Sequence, residues 1–492
     1  MGEDVDRTDF TKHDRTLYRA KSQRCVEVLA RMLSDQKFDV SEPMIGLEIE
    51  FNLIGADHRP AMKNAEVLAA IGDGDFQTEL GRFNIEINVA PRELRGRSLA
   101  GLEQDLRARL DESDRLASTV GARIAMIGIL PTLTVEDLNG AAMSAEPRYA
   151  ALNDEIVTAR GEGLTIDIAG EDELSVYAET IIAEAACTSV QFHLQMSPQS
   201  YPNYWNAAGC VAGVQLALGA NSPFLFGKQL WHETRIPLFE QAADTRPAEL
   251  KAQGVRPRVW FGERWIDSIL DQFEENTTYF PALLPIRDAE DPMAVYERGG
   301  TPQLRELRMH NGTIYRWNRP VYDVARDMPH VRLENRVLPA GPTVVDVLAN
   351  GAFYYGLVHG LATADDPLWR RLSFDAARQN FYAAARDGIA ARLSWPGLGE
   401  SPATELALTT LLPLADRGLA DLGVDTAIRE RLLGVIEQRC LRRVNGAQWQ
   451  LLSFEHALAG GRVGRAEALR LMLERYVELM HSNQPVHSWP IG

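Results

Sequence analysis

The chain is poor in cysteine and lacks the short motifs of several common enzyme classes. Its four cysteines show no CxxC spacing, so we expect reduced, buried thiols of a cytoplasmic protein rather than a disulfide framework or a zinc site. No GxxxxGK(S/T) phosphate loop, HExxH zinc motif or GxSxG nucleophile motif occurs. Gly72-Asp73-Gly74 lacks the third glycine of a dinucleotide-binding loop. The sequence therefore excludes the enzyme classes that depend on these motifs.

Long apolar runs and an excess of positive charge are also missing. The apolar stretches, such as 181–187 and 211–220, are too short to span a bilayer, and the charged N-terminus has no apolar core of a signal peptide. With 68 acidic and 51 basic residues the net charge is −17, which argues against nucleic-acid or anionic membrane partners. Local arginines or metal ions could still bind an anionic nucleotide.

The 492 residues are enough for one large domain or two to three ordinary ones. Periodicity predicts helices over 14–38, 98–120 (with Ser98 as N-cap) and 203–220, and a strand near 122–130. Residues 241–310 are rich in proline, glycine and charge and predict loops with short strands. After residue 342 the pattern predicts six helices, at 343–365, 372–393, 403–417, 424–440, 446–460 and 464–481. This order predicts an α+β fold around a mostly antiparallel sheet.

Four short segments alternate apolar and polar residues, which is typical of strands with one buried face. These segments are 47–52, 83–89, 190–196 and 331–337. Their polar positions are Glu48, Glu50, Asn52, Asn84, Glu86, Asn88, Gln191, His193, Gln195, Arg332, Glu334 and Arg336. A solvated sheet face is the alternative for each strand alone, but such a face usually includes Lys or Thr, and these positions have neither. Because grouped carboxylates need neutralising cations, the four strands together predict a metal-binding face.

Five glutamates and one histidine are the candidate ligands for two or three hard cations. Glu48 and Glu50 share a strand face, about 7 Å apart. A short segment joins Glu79 to Glu86, and its Gly81 permits a turn. The distant strands add His193 and Glu334. This oxygen-rich set favours Mg²⁺, and the imidazole makes Mn²⁺ acceptable.

Several arginines accompany these ligands. Arg332 and Arg336 flank Glu334 on its own face, whereas Arg316 and Arg319 shortly precede that strand. Guanidinium groups bind phosphate and carboxylate through paired hydrogen bonds, although a solvated surface position is the commoner role for any single arginine. Our candidate nucleotide contacts are Arg316, Arg332, Gln191 and Gln195. Metals combined with arginines fit phosphoryl transfer, in which the protein mainly positions groups and neutralises charge.

This set of motifs resembles the glutamate–cysteine ligase type 2 family of carboxylate–amine ligases and, more distantly, glutamine synthetase. The similarity covers roughly residues 43–345 and 385–388. The segments that carry it are Gly46-Leu47-Glu48-Ile49-Glu50, Glu79 with Glu86-Ile87-Asn88, Thr188-Ser189-Val190-Gln191-Phe192-His193, Asn221-Ser222-Pro223-Phe224 running to Arg235, Arg319-Pro320, and Glu334-Asn335-Arg336.

The resemblance implies an open, curved antiparallel half-barrel with ATP and an amino acid on its concave face. It implies one Mg²⁺ at Glu50, Glu79 and Glu86, and a second at Glu48, His193 and Glu334. The residues implied to bind phosphates or the substrate carboxylate during catalysis are Arg336, Arg319 and Arg235. The implied reaction is ATP-dependent: the γ-carboxylate of glutamate attacks the γ-phosphate, and an amine, cysteine in the name-giving case, then displaces phosphate from the acyl phosphate.

The resemblance also suggests a division of the chain into an N-terminal helical segment (1–41), a catalytic domain (42–395) and a helical C-terminal extension (396–492). The extension lies outside the similarity and could cap the site or form a homo-oligomer interface. Three alternatives stay open: a ligase of the same family that uses another amine or acid, a guanidino-type kinase, and a non-catalytic nucleotide or amino-acid sensor. In each case we expect small-molecule ligands.

Overall fold

A seven-stranded antiparallel sheet forms the centre of the computed structural model, which describes residues 10–39 and 43–492. The strands in this part of the chain are β1 Met44–Ile54, β2 Phe76–Thr78, β3 Asn84–Glu93, β4 Arg123–Ala125, β5 Leu164–Ala169, β6 Glu173–Ala178, β7 Val190–Met196, β8 Phe224–Leu225, β9 Lys228–Gln229, β10 Val259–Trp260, β11 Tyr315–Arg316, β12 Asn318–Ala325, β13 Met328–Asn335, β14 Arg392–Trp395 and β15 Gly399–Pro402. The main sheet has the order β12-β13-β7-β1-β3-β2, with β4 also paired to β1, and it curls into an open half-barrel.

Helices surround this sheet. In the described residues they are α1 Lys12–Ser34, α2 Asn64–Ile71, α3 Ser98–Thr119, α4 Pro147–Arg160, α5 Tyr201–Gly219, α6 Arg235–Ala242, α7 Ala248–Ala252, α8 Ile269–Tyr279, α9 Pro292–Glu297, α10 Arg305–Asn311, α11 Val344–Ala362, α12 Phe374–Asp387, α13 Ala403–Leu406, α14 Leu412–Asp421, α15 Thr426–Arg442, α16 Gly446–Ala459 and α17 Arg465–His481. A π-helical segment, Ala407–Leu411, joins α13 to α14.

The apolar face of the sheet is covered by α3, α5 and α11, and this packing determines which face remains for polar groups. Ile49 and Phe51 of β1 lie against Leu106 and Leu110 of α3. On β7, the ring of Phe192 stacks on Tyr354 of α11 and meets Tyr355 of the same helix edge to face. A one-residue slip of either strand would bury its polar side chains among these apolar ones. The alternation in the sequence therefore fixes the direction in which the polar residues point.

The predicted α+β fold with a mostly antiparallel sheet is confirmed, but several local expectations were wrong. Ser98 is the first helical residue of α3 rather than its cap, which is Arg97. Residues 241–310 contain four short helices, α7 to α10, in addition to loops. α12 ends earlier than predicted because Gly388 has a left-handed φ of 52°, and only glycine fits there, since a Cβ would lie 2.5 Å from His232 Nδ1. The hairpin of β14 and β15 follows.

The C-terminal helices pack onto the same hydrophobic core as the sheet. Arg439 of α15 forms a fully buried ion pair of 2.8 Å with Asp346 of α11 and also donates to Asn350. The Tyr476 hydroxyl of α17 donates to the main-chain oxygen of Met126. The three-part division of the chain stays a prediction. In the two described ranges, none of the helices combines the length and apolar content needed to cross a bilayer.

Candidate active site

The register of the sheet brings the predicted ligands onto one face. Glu50 of β1 lies opposite Glu86 of β3, and Glu48 lies opposite Gln191 of β7. His193 of β7 lies opposite Glu334 of β13, which in turn faces Arg319 of β12. Neighbours directly across an antiparallel pair have Cβ atoms about 5 Å apart. Side chains that are far apart in sequence therefore form one continuous polar ladder across four strand pairs.

Glu50, Glu79 and Glu86 form a compact carboxylate cluster. One oxygen atom from each lies within 4.8 Å of the others, which is the spacing expected of ligands that share one hard cation. Burial, with the charge of Glu79, raises the pKa of Glu50 to about 7. Burial and the charge of Glu48 raise the pKa of Glu86 well above its ordinary value. The cluster thus has more negative charge than the neighbouring side chains compensate, and it fits a divalent cation.

Glu48 and His193 are neighbours on the same face, and Gly46 makes room for the imidazole. A Cβ at Gly46 would lie only 3.3 Å from the Cβ of His193. His193 Nε2 lies 3.0 Å from Glu48 Oε1, and Arg332 Nε donates to His193 Nδ1 over 3.2 Å. Burial alone would raise the pKa of Glu48, but its electrostatic interaction with His193 lowers it to about 2.

This hydrogen bond from Arg332 matters for the role of His193. Because Nδ1 accepts, a neutral ring carries its proton on Nε2. A cation at Nε2 would need the lone pair of that nitrogen, so Arg332 must release the ring before His193 can serve as a ligand there. Within the described residues, Glu48, His193 and Glu334 do not reach the close ligand spacing of the first cluster.

Glu334 is held by two arginines. Arg319 donates to Glu334 Oε2 over 2.7 Å, and Arg336 donates to Oε1 over 2.6 Å. Although burial opposes it, the charges of Arg319 and Arg336 hold the pKa of Glu334 well below its usual range. Arg336 also donates to Gln191 Oε1, and Gln191 Nε2 donates to Glu50 Oε1 over 3.0 Å. Gln191 therefore links the arginine pair to the carboxylate cluster.

Two cavities border this ladder. The smaller, of about 70 Å³, is lined by Glu50, Glu79, Glu184, Cys187, Arg235, Phe239, Trp317 and Arg336, among others. The larger, of about 270 Å³, combines a charged side, made of Glu48, Arg148, Arg308, Arg319, Arg332 and Glu334, with an apolar side, made of Phe273, Leu284, Met309, Val321 and Tyr322. Glu50 and Arg336 face the first cavity and Glu48 and Glu334 face the second, so the ladder separates them.

Three predicted residues have different surroundings from the rest. Arg235 lines the smaller cavity, but it is buried and bonded to Glu233 over 3.1 Å. Arg316 pairs with Glu275 over 2.5 Å and lines neither of the two cavities. Gln195 lies at the far end of β7, 3.4 Å from Asp39 Oδ2. The structure therefore does not bring Arg316 and Gln195 into the cluster.

Sequence reasoning missed several residues that line the cavities, notably Glu184, Trp317, Arg148 and Arg308. Glu184 had a signal, since it is the single charged residue of the apolar stretch 181–187. Burial and the charge of Glu79 raise its pKa to about 8. Arg148 and Arg308 had none, because helices α4 and α10 carry charge on all sides.

Comparisons with known proteins point to one family. The chain matches the sequence model of glutamate–cysteine ligase family 2 over residues 44–451, and no curated protein matches it. A glutamate–cysteine ligase from Francisella tularensis, solved in complex with AMP, is 13% identical, with a TM-score of 0.50 over 93% of this chain and 91% of that one. A bifunctional glutathione synthetase from Pasteurella multocida is 12% identical, with a TM-score of 0.48 over 93% of this chain and 55% of that one.

The family match covers most of the chain, so the predicted family is confirmed. The carboxylate cluster, the arginine pair and the two cavities all lie within the matched residues. The chain belongs to glutamate–cysteine ligase family 2 and is a carboxylate–amine ligase, an enzyme that forms amide bonds.

Proposed function

We propose that the protein uses ATP and Mg²⁺ to join the γ-carboxylate of glutamate to an amine through an acyl phosphate. The observation that carries this proposal is the position of Arg336 between the carboxylate cluster and the larger cavity. It donates to Gln191 and Glu334 and lines the same cavity as Glu50. A guanidinium at this point can stabilise the charge that passes from a phosphate to a carboxylate.

The larger cavity suits a nucleotide. Its apolar wall, with Phe273 and Tyr322, can cover a base, whereas the arginines on the opposite wall can bind phosphates. Arg308 and Arg332 each pair with Asp323 at 3.0 Å, which holds both guanidiniums at the cavity. Phosphates that bind there would replace Asp323 as their partner. The AMP complex of the Francisella tularensis ligase agrees with a nucleotide in a protein of this fold.

The smaller cavity suits the amine and the reacting carboxylate of the acid. Glu50 and Arg336 meet at its wall, so a carboxylate placed there can bind Arg336 while it points toward the phosphates of the larger cavity. Glu50, Glu79 and Glu86 would hold Mg²⁺, which would neutralise phosphate charge and orient the reacting groups. Phosphorylation turns an unreactive carboxylate into an activated acyl group, and holding the amine beside it removes much of the entropic barrier.

Other predictions extend this proposal. Mn²⁺ could replace Mg²⁺, and we expect small-molecule substrates and no nucleic-acid partner. Assembly into a homo-oligomer, a cytoplasmic location and the second cation at Glu48, His193 and Glu334 also stay predictions. Each of these is independent of the amide-forming reaction itself.

Phosphate release from ATP tests the proposal. The assay contains Mg²⁺, glutamate and one amine from a panel that includes cysteine, and the product mass is read by mass spectrometry. We expect release that requires both glutamate and an amine, with an amide of the matching mass. Release without an amine, accompanied by a phosphorylated product, would favour a kinase. Nucleotide binding without any turnover would favour a sensor.

A further inference from the structure

Glu184 is a carboxylate in the smaller cavity to which the proposed reaction assigns no role. It lies on the 3-10 helix Ile181–Ala186 and lines the cavity together with Glu50, Glu79 and Arg336. Its Oε2 atom is buried and has no hydrogen-bond partner among the residues that the structure describes. Because an unpaired buried acceptor costs free energy, this position calls for a ligand that donates a hydrogen bond.

The neighbouring arginines do not provide that donor. Arg235 donates to the Glu233 carboxylate and to the main-chain oxygens of Arg336 and Val337. Arg336 donates to Gln191 and to the Glu334 carboxylate. Both guanidiniums line the cavity, yet neither bonds to Glu184 in the described structure. The described side chains therefore leave Glu184 Oε2 open to a donor from a bound molecule.

The cavity restricts the size and polarity of that molecule. Its volume of about 70 Å³ corresponds to about five water-sized groups. Leu80, Ala185, Phe239 and Trp317 supply an apolar wall. A small organic cation, with its charged end toward Glu184 and its carbon atoms toward this wall, matches both features.

The charges that remain free in the cavity also limit the ligand. Glu50 and Glu79 belong to the proposed cation site, and Arg235 is occupied by Glu233. Arg336 is needed by the carboxylate of the acid substrate, and Arg148, whose charge also acts on Glu184, lines the larger cavity proposed for the phosphates. An amine that carried its own carboxylate would therefore add a negative charge beside Glu184 without a guanidinium assigned to it.

We propose that Glu184 binds the ammonium group of the acceptor, and that the acceptor is a small primary amine without a carboxylate. This inference rests on the proposed function and specifies its second substrate. Ethylamine and ethanolamine represent the proposed class, whereas cysteine and glycine represent amines that bear a carboxylate.

Steady-state kinetics with these four amines test the inference. In the parent protein we expect kcat/KM to be at least about tenfold higher for ethylamine or ethanolamine than for cysteine or glycine. In Glu184→Gln the KM for the amine should rise about tenfold or more, because a charge-assisted hydrogen bond is lost. The KM for ATP and for glutamate should stay within about twofold, since the proposal assigns neither of them to Glu184. The matched control is Glu179→Gln, a change at an exposed glutamate five residues earlier, which should leave all constants unchanged.

Thermal unfolding separates this role from a structural one. Because Oε2 has no partner, Glu184→Gln should melt at the parent temperature or above it. A lower melting temperature together with equal losses for all substrates would overturn the inference, and so would an unchanged KM for the amine. Cysteine as the best acceptor would also overturn it while leaving the proposed function intact. If the parent releases no phosphate with any amine, the proposed function itself fails.

Discussion

Replacing Glu50 with glutamine should stabilise the metal-free protein at high pH and weaken its response to Mg²⁺. Glu50 is buried in the carboxylate cluster, and burial together with the charge of Glu79 raises its pKa to about 7. An acid whose pKa is higher in the folded state binds its proton more tightly there. Stability is therefore lost as the pH rises from the ordinary value of 4.5 toward 7. Glutamine has no charge and avoids this loss.

The size of the effect follows from the shift and from the local hydrogen bonds. A rise of the pKa from 4.5 to about 7 corresponds to about 3 kcal/mol of destabilisation when Glu50 is ionised. Glu50 also accepts hydrogen bonds from the Ser189 amide and from Gln191, at 2.6 Å and 3.0 Å. Glutamine can accept only one of the two, which costs about 1 kcal/mol. The net gain is about 2 kcal/mol, or about 2 °C in a chain of this length.

Thermal unfolding at pH 5 and pH 8, in EDTA and in saturating Mg²⁺, measures this effect. In EDTA the variant should melt about 2 °C above the parent at pH 8, with a smaller difference at pH 5. Mg²⁺ should raise the parent's melting temperature by more than the variant's. Glu430→Gln, at an exposed position of α15, is the control and should follow the parent. A pH-independent difference between variant and parent, or an equal Mg²⁺ response in both, would refute the reasoning.

Three further substitutions test other parts of the site and the fold. Glu334→Gln leaves Arg319 and Arg336 without their buried partner, which should lower the free energy of unfolding by about 3–5 kcal/mol. Because the pKa of Glu334 is lowered in the folded protein, the parent loses this stabilisation as the pH falls, and the difference between parent and variant in thermal unfolding should shrink. Arg336→Lys loses one of two fixed donors and should lower kcat about a hundredfold or more in the phosphate-release assay, without a change in melting temperature above about 2 °C. Asp346→Asn breaks the buried pair with Arg439 and should increase hydrogen exchange in α15 before the sheet opens. Equal protection from hydrogen exchange in α15 and in the sheet of that variant would contradict this account of the C-terminal helices.

The parts of this site that lie on long alternating strands could be predicted from the sequence. Glu48, Glu50 and Glu86 alternate with buried Ile and Phe residues, so their direction follows from the period of the strand. The face that Glu50 and Glu86 share could be expected because a one-residue slip would bury charge against α3, whereas their exact pairing could not, since a two-residue slip keeps both on that face. Helices after residue 342 were also predictable, since their apolar positions recur with the helical period.

The parts that depend on irregular segments could not be predicted in the same way. Arg316 lies close in sequence to Arg319, yet the two-residue strand β11 turns it toward Glu275. No periodic pattern indicates the direction of a side chain on so short an element. Glu184 reaches the cavity from a 3-10 helix, and the link from Arg332 to His193 depends on the rotamer of a long side chain. These contacts follow from tertiary packing.

The acyl phosphate is the central claim, and isotope transfer tests it most directly. The reaction is run with glutamate that carries oxygen-18 in its γ-carboxylate, and the released phosphate is analysed by mass spectrometry. If a carboxylate oxygen attacks the γ-phosphate, that oxygen leaves with the phosphate, so we expect one labelled oxygen in each phosphate released. Amide formation with unlabelled phosphate would contradict the mechanism, because the carboxylate would then not have been phosphorylated.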